Sequence, residues 1–100
     1  MSANELEIVD VPERGRYEAR RGERTVGFAD YQRSGDVVVL PHTEVDPAVE
    51  GQGVGSALAR TALDAIRESG ATVDPKCPFI AAYIERHPQY ADLVRSGQRS

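Results

Sequence analysis

With 100 residues the chain is long enough for one hydrophobic core and too short for two. Its 40% apolar and 28% charged residues make an ordinary globular composition, and no apolar run approaches the roughly 20 residues that a membrane-spanning helix needs. A formal net charge of −4 argues against nucleic acid as the main partner, because phosphate contacts call for a basic surface. The start, "MSANELEIVD", has no basic region followed by an apolar core and so does not read as a signal peptide. Cys77 is the only cysteine, which excludes an internal disulfide and suits a reducing, cytoplasmic setting.

Four extended segments come first, over Leu6 to Val11, Arg16 to Arg20, Thr25 to Gln32 and Val37 to Val45. The breakers "PERG", "RGE" and "SGD" between them have the spacing of an antiparallel meander. Tyr17 and Ala19 alternate as half-buried strand residues do, and so do Val26, Phe28 and Asp30. The apolar run Val37 to Leu40 predicts a strand inside the sheet with both faces covered. Pro41 cannot donate to a ladder and predicts a bulge or an unpaired edge within that strand. After Gly51, Gly53 and Gly55, the residues Val54, Leu58, Ala62, Ala65 and Ile66 fall on one helical stripe that ends at Ser69-Gly70. "ATVD" (Ala71 to Asp74) is a short strand, Pro78 to Arg86 a second helix opened by proline, and Pro88 to Val94 a last short helix. The order ββββ-α-β-α-α is an α/β (α+β) arrangement over residues 1 to 94, with 95 to 100 as a frayed tail. Its strand–helix–strand unit is a crossover, which places Ala71 to Asp74 parallel to and beside Val37 to Val45.

The glycines mark the chemistry. Free backbone N–H groups at Gln52 to Ser56 would point out of the helix's first turn, where the helix dipole adds positive charge. Glycine lets an anion approach that main chain without a Cβ in the way. Two nucleotide motifs fail: G-x-G-x-x-G would need glycine at Ser56, and the P-loop needs a lysine and a hydroxyl where the chain has Ser56 and Ala57. Neither His42 nor His87 has metal-ligand spacing with Cys77, so no metal site is expected.

"EGQGVGSALARTAL" resembles motif A of the GNAT superfamily of N-acetyltransferases, whose Q/R-x-x-G-x-G/A pattern binds the pyrophosphate of acetyl-coenzyme A (acetyl-CoA). Together with "CPFIAAYIERHPQYADLV", the stretch is similar to the minimal, single-domain N-acetyltransferase-like proteins, over Glu5 to Val94. The resemblance implies a GNAT-like mixed sheet and transfer of acetyl from acetyl-CoA to an amine. Glu50 departs from the wider pattern, putting an acid at the Q/R position.

From that resemblance the amides of Gln52, Gly53, Val54, Gly55 and Ser56 are expected to hold the pyrophosphate, and the backbone of Thr43, Glu44 and Val45 to pair with pantetheine. Tyr83 falls where many members carry a tyrosine that protonates the leaving thiolate, and His42 and Cys77 are expected to face the thioester. Two roles are open to that pair: a Cys77 thiolate accepting acetyl with His42 as base, or His42 deprotonating the acceptor amine for direct transfer. Glu44 shares the parity of His42 and faces the same side of the strand. Full-length members insert helices between their first two strands, where this chain has only "PERG". An open acceptor side follows, suited to an exposed lysine or N-terminus of a protein or peptide. The same openness suits a non-catalytic sensor or adaptor that binds CoA without turning it over.

Overall fold

The computed structural model describes residues 5–94; the tail expected over 95–100 lies outside them. The described chain forms β1 (Leu6–Val11), β2 (Arg16–Arg21), β3 (Arg24–Asp30), β4 (Gln32–Ser34), β5 (Val37–Val39), β6 (Thr43–Val45), α1 (Val54–Ser69), β7 (Thr72–Asp74) and α2 (Pro78–Arg86). Three 3₁₀ turns, Pro12–Arg14, Pro47–Val49 and Pro88–Leu93, each begin at a proline, whose missing N–H is no loss in a first turn. The last of these is the third helix of the expected order.

The strands form an antiparallel set in the order β1-β2-β3-β6 and a second set in the order β4-β5-β7. Within the second set β5 and β7 are parallel, with Val37 opposite Thr72 and Val39 opposite Asp74, which is the crossover expected around α1. Two of the expected segments are each divided in two. Thr25 to Gln32 breaks at Tyr31, whose amide turns aside to bond Gly15 O at 2.9 Å. Val37 to Val45 breaks around Pro41: Leu40 N bonds Asp74 O at 3.0 Å, whereas His42 O accepts from Asp30 N at 2.8 Å. The chain therefore changes ladder partner across a residue that has no N–H to offer either side. The sheet opens at that point.

One face of the sheet carries the core. Leu58, Ala62, Val54, Tyr17, Ala19, Val26 and Ala29 form one buried cluster, and Leu63, Ile66, Leu40, Val73, Ile80 and Tyr83 belong to a second under α1 and α2. Each fully buried leucine or isoleucine contributes about 1.5–3 kcal/mol of transfer free energy. Val54, Leu58, Ala62 and Ile66 are all buried, as their spacing predicts, and Gly70 closes the helix in the left-handed conformation at φ 80°. In its last turn, Arg67 pairs with Asp92 at 2.9 Å and fixes the last 3₁₀ turn to α1.

Val26, Phe28 and Asp30 do not share a face, contrary to the simple alternation. The register shifts between Ala19 and Arg20, so that Ala19 is opposite Gly27 and Arg20 opposite Thr25, with Val26 the extra residue. This bulge sends Val26 into the core with Tyr17 and Ala19, while Phe28 and Asp30 stay on the other face with Glu18 and Arg16. The expectation of two covered faces for Val37 to Leu40 is also corrected. Val38 and Leu40 are buried but Val37 and Val39 only half-buried, because both apolar clusters lie on one side. Among the described residues Val11 is the one buried apolar strand residue outside them.

Candidate functional site

The 3₁₀ turn before α1 is capped by Asp46, whose carboxylate accepts from Ala48 N at 2.9 Å and from Arg24 at 2.6 Å. Those two contacts, the backbone one first, hold its carboxyl below the usual carboxylate range. The chain then runs through Glu50 and Gly51 into Gly53, the N-cap of α1, at φ 82° in the left-handed region. No side chain caps the helix, and its first bond runs from Ala57 N to Gly53 O. The amides of Val54, Gly55 and Ser56 are thus left without helical partners at the positive end of a 16-residue dipole. Gln52 differs from expectation, because its amide donates to Val49 O at 3.2 Å and closes the turn. Its side chain is held as well, accepting from Arg21 Nη1 at 2.7 Å. That contact brings a cation to a loop whose own charged residue is the exposed Glu50.

Beside the loop is a cleft of about 370 Å³ lined by Val45, Val49, Glu50, Gly53, Gly55 and Phe79, among others. A Cβ at Gly55 would stand 2.8 Å from the tip of the Phe79 ring, so the ring rests directly on the bare main chain of that glycine. A second cleft of about 300 Å³, near Tyr17 and Tyr31, has its polar groups engaged, with Tyr31 donating to Asp10 at 2.7 Å and Ser69 to Ile66 O at 2.8 Å.

The opening of the sheet adjoins the first cleft. Antiparallel ladders bond alternate residues. Since His42 and Asp46 bond to β3, Thr43 and Val45 turn their main-chain groups to the opposite edge, which no strand pairs among the described residues. The side chain of Thr43 is on the core side of β6, with Ala29, and its Oγ1 is buried without a hydrogen-bond partner among the described residues. An orphaned hydroxyl and an unpaired strand edge beside free helix amides fit an elongated ligand with an anionic centre and amide-bearing arm. Acetyl-CoA has that chemistry, with its pyrophosphate and pantetheine.

His42 is exposed, and its Nε2 donates to Glu44 Oε2 at 2.8 Å, as the shared parity predicts. A carboxylate only accepts, so in the neutral ring this bond places the hydrogen on Nε2 and leaves the Nδ1 lone pair free. Cys77, the N-cap of α2, donates its amide to Leu40 O at 2.9 Å, which anchors it to the chain two residues before His42. Its side chain is buried in the second cluster. Tyr83 is buried in that cluster too, stacked on His87 with ring centroids 3.9 Å apart, and His87 Nδ1 lies 2.8 Å from Tyr83 O. The structure therefore gathers the glycine turn, the open edge and His42–Glu44 around the split, with Cys77 anchored at its base. Tyr83 lies inside the helical layer. Among the described residues no group of three or more His, Cys, Asp or Glu could hold a metal ion.

The sequence profile of the GCN5-related N-acetyl-transferase family matches residues 16–93. The chain belongs to that family. Among relatives, the mouse Protein NATD1 is 36% identical over 61 residues, 59% of this chain and 56% of that protein. The human Protein NATD1 is 34% identical over 61 residues, 59% of this chain and 54% of its own length. The chain thus spans about half the length of the curated relatives it matches. The fold of this N-acetyltransferase-family chain recurs in the solution structure of a GCN5-like protein from Staphylococcus aureus, with a TM-score of 0.71, 21% identity, and coverage of 96% of this chain and 92% of that one. It recurs again in the ribosomal-protein-S18-alanine N-acetyltransferase from Escherichia coli, at a TM-score of 0.62, 22% identity, and coverage of 72% and 50%.

Two features of the site escape the motif reading. Phe79 is an exposed large apolar side chain whose role at the cleft depends on its approach to Gly55. The other is the face that carries His42, where Glu18 is only 3% exposed. Arg16 and Arg20 close on it at 2.8 and 2.7 Å, and Arg14 stands at 3.7 Å. The bonds from Arg20 first, and then Arg16, hold the Glu18 carboxyl below its usual range. The alternation in "RYEAR" carries a signal for it, with charge on one face and Tyr17 and Ala19 on the other.

Proposed function

We propose that this chain transfers acetyl from acetyl-CoA to an amine, an exposed lysine or N-terminus of a protein or peptide. The observation that carries the proposal is the unpaired edge of β6 meeting the uncapped N-terminus of α1 at one split in the sheet. Gly53, Val54, Gly55 and Ser56 would hold the pyrophosphate through their amides, and Thr43 and Val45 would pair with the pantetheine arm, Thr43 Oγ1 finding its missing partner. Phe79 walls the cleft on the side of α2. Bound acetyl-CoA would supply the thioester whose acetyl carbon the amine attacks as the carbon–sulfur bond breaks.

His42 acts as general base in this reading. Glu44 holds the ring in the tautomer whose Nδ1 takes the proton from the acceptor ammonium, and it stabilises the imidazolium that results. Direct transfer is the better-supported of the two routes, because His42 is exposed while the Cys77 side chain is packed among Leu40, Ile80 and Tyr83. Tyr83, the expected donor to the leaving thiolate, is buried against His87 inside the helical layer, and Cys77 is the wall beside the thioester. A reducing cytoplasmic setting suits the free thiol.

Titration of CoA into ¹⁵N-labelled protein tests the binding step. Shifts should concentrate at residues 53–56 and at Thr43 and Val45, and Gly53→Val, which strains a left-handed position in open space, should abolish them while the fold persists. Wild-type affinity in folded Gly53→Val removes the cradle. Release of CoA in the presence of a lysine peptide tests transfer, and binding without release would leave a CoA-binding sensor or adaptor in place of an enzyme.

A further inference from the structure

The sheet face opposite α1 bears a continuous row of side chains leading away from His42. The Phe28 ring lies beside the imidazole with centroids 6.0 Å apart, and the Arg16 guanidinium sits 4.4 Å over the other side of Phe28. Arg16 reaches Glu18, which in turn binds Arg20 and draws in Arg14. Both helices and both apolar clusters are on the far side, so among the described residues no helix covers this row. Its two ends differ in charge. At the β6 end the exposed carboxylate of Glu44 is bonded, among the described residues, only to His42, and Asp30 on β3 is opposite His42. At the β2 end the one carboxylate is buried under three arginines, of which Arg14 and Arg20 are 65% and 37% exposed. What faces solvent there is cationic. Glu7, opposite Arg20 on the outer strand β1, and the exposed Glu13, beside Arg14 in the preceding turn, limit that cationic stretch to the side chains of Arg14, Arg16 and Arg20.

We infer that this row is the docking track for the acceptor, and that the acceptor is a peptide segment with an acidic residue about three positions from the acetylated lysine. The inference rests on His42 marking where the amine reacts. The lysine ammonium is drawn to Glu44 and Asp30, an intervening apolar side chain lies on Phe28, and the acidic residue meets Arg14 and Arg20. The spacing follows from geometry: β6 and β2 are two strand intervals apart, about 10 Å, which an extended peptide covers in about three residues at roughly 3.3 Å each. Charge complementarity of this kind sets partner choice and association rate and weakens with salt.

The test uses fluorescein-labelled nine-residue peptides with one central lysine and glutamate at both third positions, against the same peptide with arginine there. Anisotropy should show the acidic peptide binding at least about fivefold more tightly at low salt, with the preference shrinking in 0.5 M sodium chloride. Arg14→Glu, an exposed change in a turn, should erase or invert the preference; Arg20→Gln should weaken it. Amide shifts should follow β2 and β3. In transfer assays Arg14→Glu should raise KM for the acidic peptide and leave kcat unchanged. Equal affinity for both peptides, no measurable binding of either, or a preference untouched by Arg14→Glu overturns the inference. The two proposals fail separately. Selective binding without transfer counts against the catalytic reading alone, and transfer indifferent to peptide charge counts against the track alone.

Discussion

On the α1 side of the sheet, Tyr17, Ala19, Val26 and Ala29 pack against Val54, Leu58 and Ala62 as an apolar layer. Across the same strands, one residue out of phase, Glu18, Arg16, Phe28, His42 and Glu44 form a row of ion pairs and aromatic contacts with no helix above them among the described residues. The two faces share a backbone and differ only in parity. Burial of apolar area on the first supplies most of the folding free energy, and that leaves the second free to carry charged groups whose partial exposure would weaken a core. Changes on one face should therefore alter activity without stability, and on the other stability before activity.

The largest expected effect on this division is at His42. His42→Ala should lower the acetylation rate by about 10²–10⁴-fold, the usual worth of a general base, with the thermal midpoint and CoA affinity nearly unchanged. His42→Gln keeps a hydrogen-bonding partner for Glu44 without the basicity. A full rate in that variant across the pH range would make the histidine structural and erase the contrast between the faces. Next in size is Leu58→Ala on the covered face, where the side chain is 0% exposed. It should cost about 2–5 kcal/mol, read as a lower midpoint in urea. A loss well under 1 kcal/mol would show that the cluster can collapse around the gap.

Gly27 joins the two regions. A Cβ there would meet Glu44 O at 2.9 Å and Val54 Cγ1 at 3.2 Å, so Gly27→Ala should push β6 from β3 and α1 from the sheet, costing about 1–3 kcal/mol. Because Glu44 holds His42, this one substitution should disturb rate and stability together, and an effect on stability alone would show that β6 holds its place without that contact.

The smallest expected effect is at Tyr90, whose hydroxyl donates to Asp64 at 2.7 Å and ties the last 3₁₀ turn to α1. Tyr90→Phe should cost about 1 kcal/mol near neutral pH. The bond to Asp64, followed by burial, pushes the phenol up to about 12. A raised folded value means that its contribution is complete below the unfolded value of about 10 and is lost as pH rises toward 12. The difference in stability between wild type and Tyr90→Phe should narrow over that interval, and a constant difference would assign the bond no linkage.

Wherever a local rule governed the chain, the fold was legible in its residues. The helix over Val54–Ser69 follows from apolar spacing and Gly70, the parallel pairing of Val37–Val39 with Thr72–Asp74 from the strand–helix–strand order, and the last helical turn, Pro88–Leu93, from its opening proline. Pro41 announced an interruption but not its kind, because a missing N–H allows a bulge as readily as a split. Val26 and Phe28 were assigned to one face because a period of two cannot foresee an extra residue. Among the candidate residues, the free amides at Val54, Gly55 and Ser56 and the shared side of His42 and Glu44 were readable from helix geometry and strand parity. The use of the Gln52 amide by Val49 was not, since it depends on how the Pro47–Val49 turn closes.

By itself, then, the sequence determined the main element types and the bare helix entrance, which depend on neighbours within a few positions, and the parallel crossover, which follows from the strand–helix–strand order. Tertiary structure alone decided that β6 leaves β7 beyond Leu40, that Phe79 rests on Gly55, and that three arginines bury Glu18 in line with His42. Each of these joins residues from different elements or rests on register between strands. Such contacts are selected by the packing free energy of the whole sheet and its helices, which no local window of residues contains.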